Sequence, residues 1–139
     1  MLTWPKVLLL NSDDAESTKW QEMFREYASL ERVRDLDELH ATLRSDNYDA
    51  LFCGWRFEAG TWHEALEEVR QNCPDMPVIV FSSTADEREW IEVLEAGGFD
   101  LLATPYHKRT VLPVLEQAVL SYEARRFHNT ASITAVRAS

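Results

Sequence analysis

The sequence predicts an α/β fold in which five parallel strands alternate with five helices. Short, continuous apolar runs recur along the chain, and such runs are typical of strands buried on both faces of a parallel sheet. Between these runs lie longer segments whose apolar residues recur at helical spacing. Strict alternation of the two patterns implies right-handed crossovers, with helices covering both faces of the sheet.

The predicted strands differ in how clearly the sequence marks them. Residues 78–81 form a β-branched apolar run and give the clearest strand, whereas residues 30–33 give the weakest. The central predicted strand is an apolar run that ends directly before Gly54. The five predicted strands span residues 6–10, 30–33, 49–53, 78–81 and 99–103.

Capping signals place the predicted helices. A Ser, Thr or Asp followed three residues later by Glu is the pattern of a capping box, and a glycine often follows the last turn of a helix. The boxes are Asp13 with Glu16, Asp35 with Glu38, Thr61 with Glu64, and Thr84 with Glu87, and the glycine stop is Gly97. The predicted helices span about residues 14–27, 36–45, 62–72, 86–96 and 108–126.

Length and composition predict one soluble globular domain. The chain has 139 residues, of which 45% are hydrophobic and 27% charged. We expect the domain to span residues 1–127, and residues 128–139 to form a disordered or frayed tail, because they are small, polar and unpatterned.

Charge and cysteine content exclude several classes of function. A net charge of −10 argues against nucleic-acid and membrane partners, since both require a basic surface. Cys53 and Cys73 stand apart without a Cys/His framework, so they predict reduced thiols rather than a disulfide or a metal site. Neither a signal peptide nor an apolar run of about 20 residues is visible, and we expect a cytoplasmic protein.

Polar and small residues follow the predicted strands, at the sheet edge where open α/β folds place their chemistry. These residues are Asn11, Ser12, Gly54, Ser82, Thr104 and Pro105. Together with the sequences at 48–51 (YDAL), 77–80 (PVIV) and 96–100 (AGGFD), they give residues 6–126 a specific resemblance. This span resembles the CheY-like receiver domain of two-component response regulators. The resemblance implies a flavodoxin-like sheet with strand order 2-1-3-4-5.

The resemblance also implies a reaction. In the family, a histidine kinase transfers a phosphoryl group to an aspartate after the third strand. Two acidic residues after the first strand help to hold Mg²⁺, which prefers hard oxygen ligands. A Ser or Thr after the fourth strand and a Lys after the fifth contact the phosphoryl oxygens, where charge develops.

This chain departs from that pattern at most of its positions. The acceptor position is Gly54, the acidic pair falls on Asn11 and Ser12, and the Lys position is Thr104. Only Ser82 and Pro105 keep the family's chemistry, and the fifth-strand aromatic residue is Leu101. Without a carboxylate nucleophile the reaction has no first step. We therefore predict a pseudo-receiver that is not an enzyme, uses no cofactor and has lost its Mg²⁺ site. We also predict a cis peptide bond before Pro105, as in the family.

The sequence leaves several functions open. The first is a phosphate-independent interaction module, which would bind a histidine kinase or a downstream regulator, or form a homodimer. The resemblance places such contacts on the face of helix four, strand five and helix five. The second is a phospho-acceptor that uses Ser12 or Ser82, and the third is a small-molecule-binding flavodoxin-like domain. A register shift that makes Asp13 and Asp14 the acidic pair is a weaker possibility.

The possible partner surface comprises residues of three segments. Trp55, Arg56 and Phe57 form an aromatic loop that is either an interaction patch or local core over the altered site. Trp90 lies on the fourth helix, where its spacing favours core packing, and Leu101 lies on the fifth strand.

Overall fold

The computed structural model describes residues 4–138, and the side-chain surroundings of residues 4–126. The strands are β1 (Lys6–Leu10), β2 (Ser29–Val33), β3 (Ala50–Gly54), β4 (Arg56–Phe57), β5 (Gly60–Thr61), β6 (Val78–Ser82) and β7 (Asp100–Ala103). The helices are α1 (Asp14–Phe24), α2 (Leu36–Ser45), α3 (Trp62–Asn72), α4 (Glu87–Ala96) and α5 (Lys108–Ala138).

Five of the strands form one parallel sheet in the order β2-β1-β3-β6-β7. Counting only these sheet strands, the order is 2-1-3-4-5, so the predicted fold class and strand order are confirmed. β3 and β6 are buried at every position because they lie inside the sheet with helices on both faces. The edge strand β2 alternates exposed and partly buried residues over most of its length, which explains its weak sequence signal.

Each face of the sheet carries its own core. On one face, α1 contributes Trp20 and Phe24, and α5 contributes Val111 and Leu115. On the other face the buried helix residues include Leu39 of α2, Trp62 of α3 and Val93 of α4. Burying one large apolar side chain contributes about 1.5–3 kcal/mol to the stability of the fold. The two cores therefore hold the carboxyl ends of the strands together at one edge of the sheet.

The helix starts confirm two of the predicted caps and correct the other two. The Asp13 and Asp35 carboxylates accept hydrogen bonds from the backbone N–H groups three residues later, as predicted. Thr61 directly precedes α3, at the cap position, but its side chain makes no capping hydrogen bond. α4 is capped by Asp86, whose carboxylate accepts from the Glu89 N–H, rather than by Thr84.

α5 is longer than predicted. Its backbone is helical from Lys108 to Ala138, whereas the sequence pattern indicates an end near Arg126. No glycine or proline follows Phe127 in the sequence, so nothing in the chain forces the helix to stop there. The side chains of residues 127–139 lie outside the described residues, and disorder of residues 128–139 stays a prediction. Across residues 4–138, no helix combines the length and the apolar character needed to cross a membrane.

Candidate functional site

Gly54 is the last residue of β3 and lies at the carboxyl edge of the sheet, beside Phe81 of β6. A Cβ built on Gly54 would meet the Arg56 carbonyl oxygen at 3.2 Å and the Phe81 ring at 3.5 Å. Among the described glycines only Gly97 has a positive φ, so the backbone at Gly54 does not require glycine. The position could hold a side chain at the cost of a small shift, but the chain places none there.

Asn11 and Ser12 follow β1, as predicted, and they meet Gly54 at one cleft. Asn11 is buried, and its side-chain oxygen accepts from the Asp13 N–H at 3.1 Å. Its amide nitrogen donates to Glu16 at 3.5 Å, and its backbone N–H bonds to Val33 of β2. Asn11 therefore ties the start of α1 to the sheet and is largely committed to that role.

Ser82 and Thr104 stabilise the loops that follow β6 and β7. The Ser82 hydroxyl accepts from the Thr84 N–H at 3.2 Å and lies 3.3 Å from the Thr84 hydroxyl. The Thr104 hydroxyl donates to the Ser83 carbonyl oxygen at 3.3 Å. The peptide bond between Thr104 and Pro105 is cis, as predicted. Both hydroxyls therefore make loop-stabilising hydrogen bonds.

The cleft has a volume of about 480 Å³ and an acidic and aromatic lining that sequence reasoning did not predict. Asp13, Glu16, Phe81 and Tyr106 line it beside Asn11, Ser12, Gly54 and Ser82. Thr104 and Pro105 line a neighbouring cavity that shares Asp13, Glu16 and Tyr106 with the cleft. Burial, with the nearby Asp13 charge, raises the pKa of Glu16. Burial, with the Glu16 charge, raises the pKa of Tyr106. The cleft therefore disfavours additional negative charge near Glu16.

The donor set of this cleft differs from the one that the resemblance implies for a Mg²⁺ ion. Mg²⁺ is usually held by one or two carboxylates, with water or phosphate oxygens completing an octahedron. An amide and a hydroxyl stand at the two acidic positions, at Asn11 and Ser12, and Gly54 has no side chain. The Asp13 carboxylate is engaged in capping α1. Among the described residues, no group of three or more His, Cys, Asp or Glu side chains could hold a metal ion.

Comparison with known proteins decides the family. The model of the response regulator receiver domain matches residues 7–116. The chain belongs to the response regulator receiver family. It is thus a receiver domain of two-component signalling, a module of a kind that interacts with kinases or downstream regulators and can dimerise.

Individual relatives are distant. A DNA-binding transcriptional regulator, NtrC of Proteus hauseri, is 23% identical over 122 residues, which cover 86% of this chain and 26% of the relative. The chain therefore spans about a quarter of that relative's length. The receiver domain of a Pseudomonas aeruginosa sensor histidine kinase, with a magnesium ion in its active-site cleft, has a TM-score of 0.75 and 22% identity, covering 84% of this chain and 98% of that one.

A third similar protein is the beryllofluoride-activated NtrC4 receiver domain dimer. It has a TM-score of 0.78 at 15% identity, covering 84% of this chain and 98% of that chain. At these identities the structural likeness shows the fold alone. The chemistry of this receiver has to be argued from its own residues.

The aromatic loop of the receiver is mainly local core. Phe57 is buried in the core between the sheet and α2–α4, which favours the local-core alternative for this residue over the partner surface. Trp55 is half-buried, with its ring 5.4 Å from that of Trp62. The loop forms the β4–β5 hairpin instead of being irregular, because Arg56 pairs with Thr61 and Phe57 with Gly60. Of the three predicted residues, only Arg56 is exposed.

The α4 face of the receiver is more exposed than its sequence pattern indicates. Trp90 is 44% exposed, and its indole N–H donates to Asp100 at 3.0 Å, so its predicted core packing is wrong. Ile91 and Leu94 are 42% and 37% exposed beside it. We call Trp90, Ile91 and Leu94 the α4 ridge. Leu101 of β7, by contrast, is buried and cannot contribute side-chain surface to a partner.

Proposed function

We propose that this receiver is a phosphate-independent protein-interaction module of two-component signalling, acting in the cytoplasm without catalytic activity. The observation that carries the proposal is the carboxyl end of β3, where Gly54 supplies no nucleophile. The other described residues of the cleft do not together replace the acceptor aspartate, the acidic pair and the lysine of the family pattern. Asn11 in the cleft and Thr104 beside it are engaged in hydrogen bonds to their neighbours, and the described lining of the cleft contains no lysine.

Electrostatics support the same proposal. Phosphoryl transfer to a carboxylate needs cations to offset the charge that develops on the phosphoryl oxygens. Here Asp13 and Glu16 line the cleft, and Arg56 is the one cationic side chain in its described lining. The raised pKa of Glu16 reflects an environment that already disfavours its own negative charge.

Chemical phosphorylation tests the proposal directly. The purified protein is incubated with acetyl phosphate and Mg²⁺, and its intact mass is measured beside that of a receiver that keeps the aspartate. We expect no phosphoryl adduct on this chain. A stoichiometric, base-labile adduct, or a stable phosphoryl group mapped to Ser12 or Ser82, would overturn the proposal.

We propose the α4 ridge as the docking surface of the module. Exposed Trp residues are enriched among the residues that dominate binding energy at interfaces. Acidic residues predominate around the ridge, since Glu87, Glu92 and Glu95 lie on the same helix and Arg88 is its one cation. Combined with a net charge of −10, this rim favours a partner with a basic rim around an apolar centre over a second copy of the chain.

The oligomeric state and the salt dependence of binding test this assignment. We expect a monomer in sedimentation equilibrium, and binding to a candidate two-component partner that weakens as salt rises. Trp90→Ala should reduce that binding at least tenfold, while Leu120→Ala, which removes a more exposed apolar side chain from α5, should leave it unchanged. A homodimer that Trp90→Ala dissociates would show that a second copy covers the ridge instead.

A further inference from the structure

A second cavity lies at the opposite edge of the sheet, before the amino ends of β6 and β7. Its volume is about 280 Å³, at the lower end of the range for ligand sites. Leu66 and Val69 of α3, Met76 and Phe99 provide apolar walls. Arg70 of α3 and Arg125 of α5 add two guanidinium groups.

The charge of this cavity is opposite to that of the whole molecule. None of the described residues that line it carries a carboxylate, although the chain has a net charge of −10. The Glu67 carboxylate lies 3.9 Å from Arg70, and both side chains are at least half exposed, so this pairing is weak. Within the described part of the chain, Arg125 has no ion pair or hydrogen bond.

The position of Arg70 depends on the glycine that ends α4. A Cβ built on Gly97 would come within 2.5 Å of the Arg70 Nη2 atom, so the guanidinium lies directly against the glycine backbone. Gly97 has φ of 103°, a conformation that disfavours residues with a side chain. The glycine thus leaves the space that the guanidinium occupies at the cavity wall.

Helix dipoles account for one of the two cations. Arg70 lies at the carboxyl end of α4, where a positive charge is favourable. Arg125 has no such role, because α5 continues to Ala138 and does not end near Arg125. An exposed cation at the mouth of a cavity, away from any helix end, is the feature that the fold leaves unexplained.

We propose that this cavity binds a small organic anion, a carboxylate carried on an apolar body. The guanidinium groups of Arg70 and Arg125 donate to the carboxylate oxygens, for which their planar geometry is suited. The walls formed by Leu66, Met76 and Phe99 exclude water from the apolar body. The site is independent of the cleft at Gly54, since it lies at the other edge of the sheet.

The four glycines of the chain provide the readout. Gly97 and Gly98 line the cavity, whereas Gly54 and Gly60 lie near the carboxyl edge of the sheet. The full-length ¹⁵N-labelled protein is titrated with phenylacetate, and the amide signals of all four glycines are followed by NMR. The uncharged analogue 2-phenylethanol serves as the matched control ligand.

We expect phenylacetate to shift the Gly97 and Gly98 signals saturably, without equal shifts at Gly54 and Gly60. Arg125→Gln should weaken binding about tenfold or more, because it removes a hydrogen bond to a charged group. Arg44→Gln makes the same charge change on α2, away from the cavity, and should leave the affinity unchanged. Equal shifts with 2-phenylethanol, equal affinity in Arg125→Gln, or no saturable shift at Gly97 and Gly98 would overturn the proposal.

Discussion

The Thr104 hydroxyl donates a hydrogen bond to the Ser83 carbonyl oxygen at 3.3 Å and so joins the loops that follow β6 and β7. The family pattern places a lysine at position 104, where its ammonium group would contact the phosphoryl oxygens. Here a short hydroxyl side chain bridges two loops instead. Position 104 has therefore exchanged a role in charge stabilisation for a structural one.

Rebuilding the phosphorylation site should require several simultaneous changes. Gly54→Asp alone supplies a nucleophile, but it leaves the metal ligands and the lysine absent, and its Cβ would lie close to the Arg56 carbonyl oxygen. We expect no phosphoryl adduct on this variant after treatment with acetyl phosphate and Mg²⁺. The combination of Asn11→Asp, Ser12→Asp, Gly54→Asp and Thr104→Lys should gain a base-labile adduct, detected by intact mass.

Each outcome of that experiment is informative. An adduct on Gly54→Asp alone would mean that the present cleft still supports the reaction and lacks only its nucleophile. Circular dichroism and urea unfolding of both variants provide the folding control, because the substitutions introduce carboxylates next to Asp13 and Glu16.

Gly97→Ala should destabilise the receiver by about 1–3 kcal/mol, because a left-handed backbone is strained for a residue with a Cβ. The new methyl group must also displace the Arg70 guanidinium. Gly54→Ala is the matched control, since φ at Gly54 is not positive and its nearest contact is 3.2 Å. We expect this control to change the free energy of unfolding by less than about 1 kcal/mol in either direction, because a stiffer unfolded chain offsets the tight contact. Urea unfolding measures both, and equal losses would contradict the assigned role of Gly97.

α4 should depend on one buried side chain and tolerate changes on its ridge. Val93 is its only buried residue, so Val93→Ala should cost about 2 kcal/mol from two lost methyl groups and the resulting cavity. Trp90→Ala removes an exposed ring and its hydrogen bond to Asp100, and should cost less than about 1 kcal/mol. The same unfolding measurement compares the two variants. A larger loss in Trp90→Ala would assign the ridge to folding rather than to binding.

The fold could be predicted because its strongest signals are local. β3 and β6 are continuous apolar runs since both faces of each strand are buried. The sequence cannot distinguish the cap of α4, because the box pattern fits both Thr84 with Glu87 and Asp86 with Glu89. The end of α5 lacked any stop signal, so the fading of its apolar periodicity after Arg126 was the only guide to its length.

The site could be predicted only in part. Gly54 and Thr104 were found because they occupy motif positions directly after strands. Glu16 and Tyr106 lie 90 positions apart in the sequence, and only the tertiary fold brings them to the same cleft. Trp90 was misplaced because helical spacing marks every apolar residue of α4, whereas the sheet covers only Val93. Exposure of an apolar ridge depends on how much of a helix its neighbours cover, and local sequence does not contain that information.

The two cysteines should differ sharply in reactivity. Burial raises the pKa of both thiols, but Cys53 is fully buried in β3 whereas Cys73 after α3 is only partly buried. Because the thiolate is the reactive form and needs access to the reagent, iodoacetamide should modify Cys73 first in the folded protein. Modification of Cys53 should follow only as the core opens, and urea should accelerate it steeply. Mass spectrometry of a time course measures both rates. Cys73→Ser, in which Cys53 is the one remaining cysteine, is the control.

The same burial predicts how stability depends on alkaline pH. The pKa of Cys53 is higher in the folded state than in the unfolded state, where a thiol has a pKa of about 8.5. Its contribution to stability is therefore complete below that pH and is lost as pH rises further, because only the unfolded chain then releases the proton. We expect the urea midpoint of Cys73→Ser to fall between pH 8 and pH 10, and to fall less when Cys53→Ala is added. An identical decline in both proteins would assign the alkaline loss to other groups, such as Tyr106, whose pKa burial also raises.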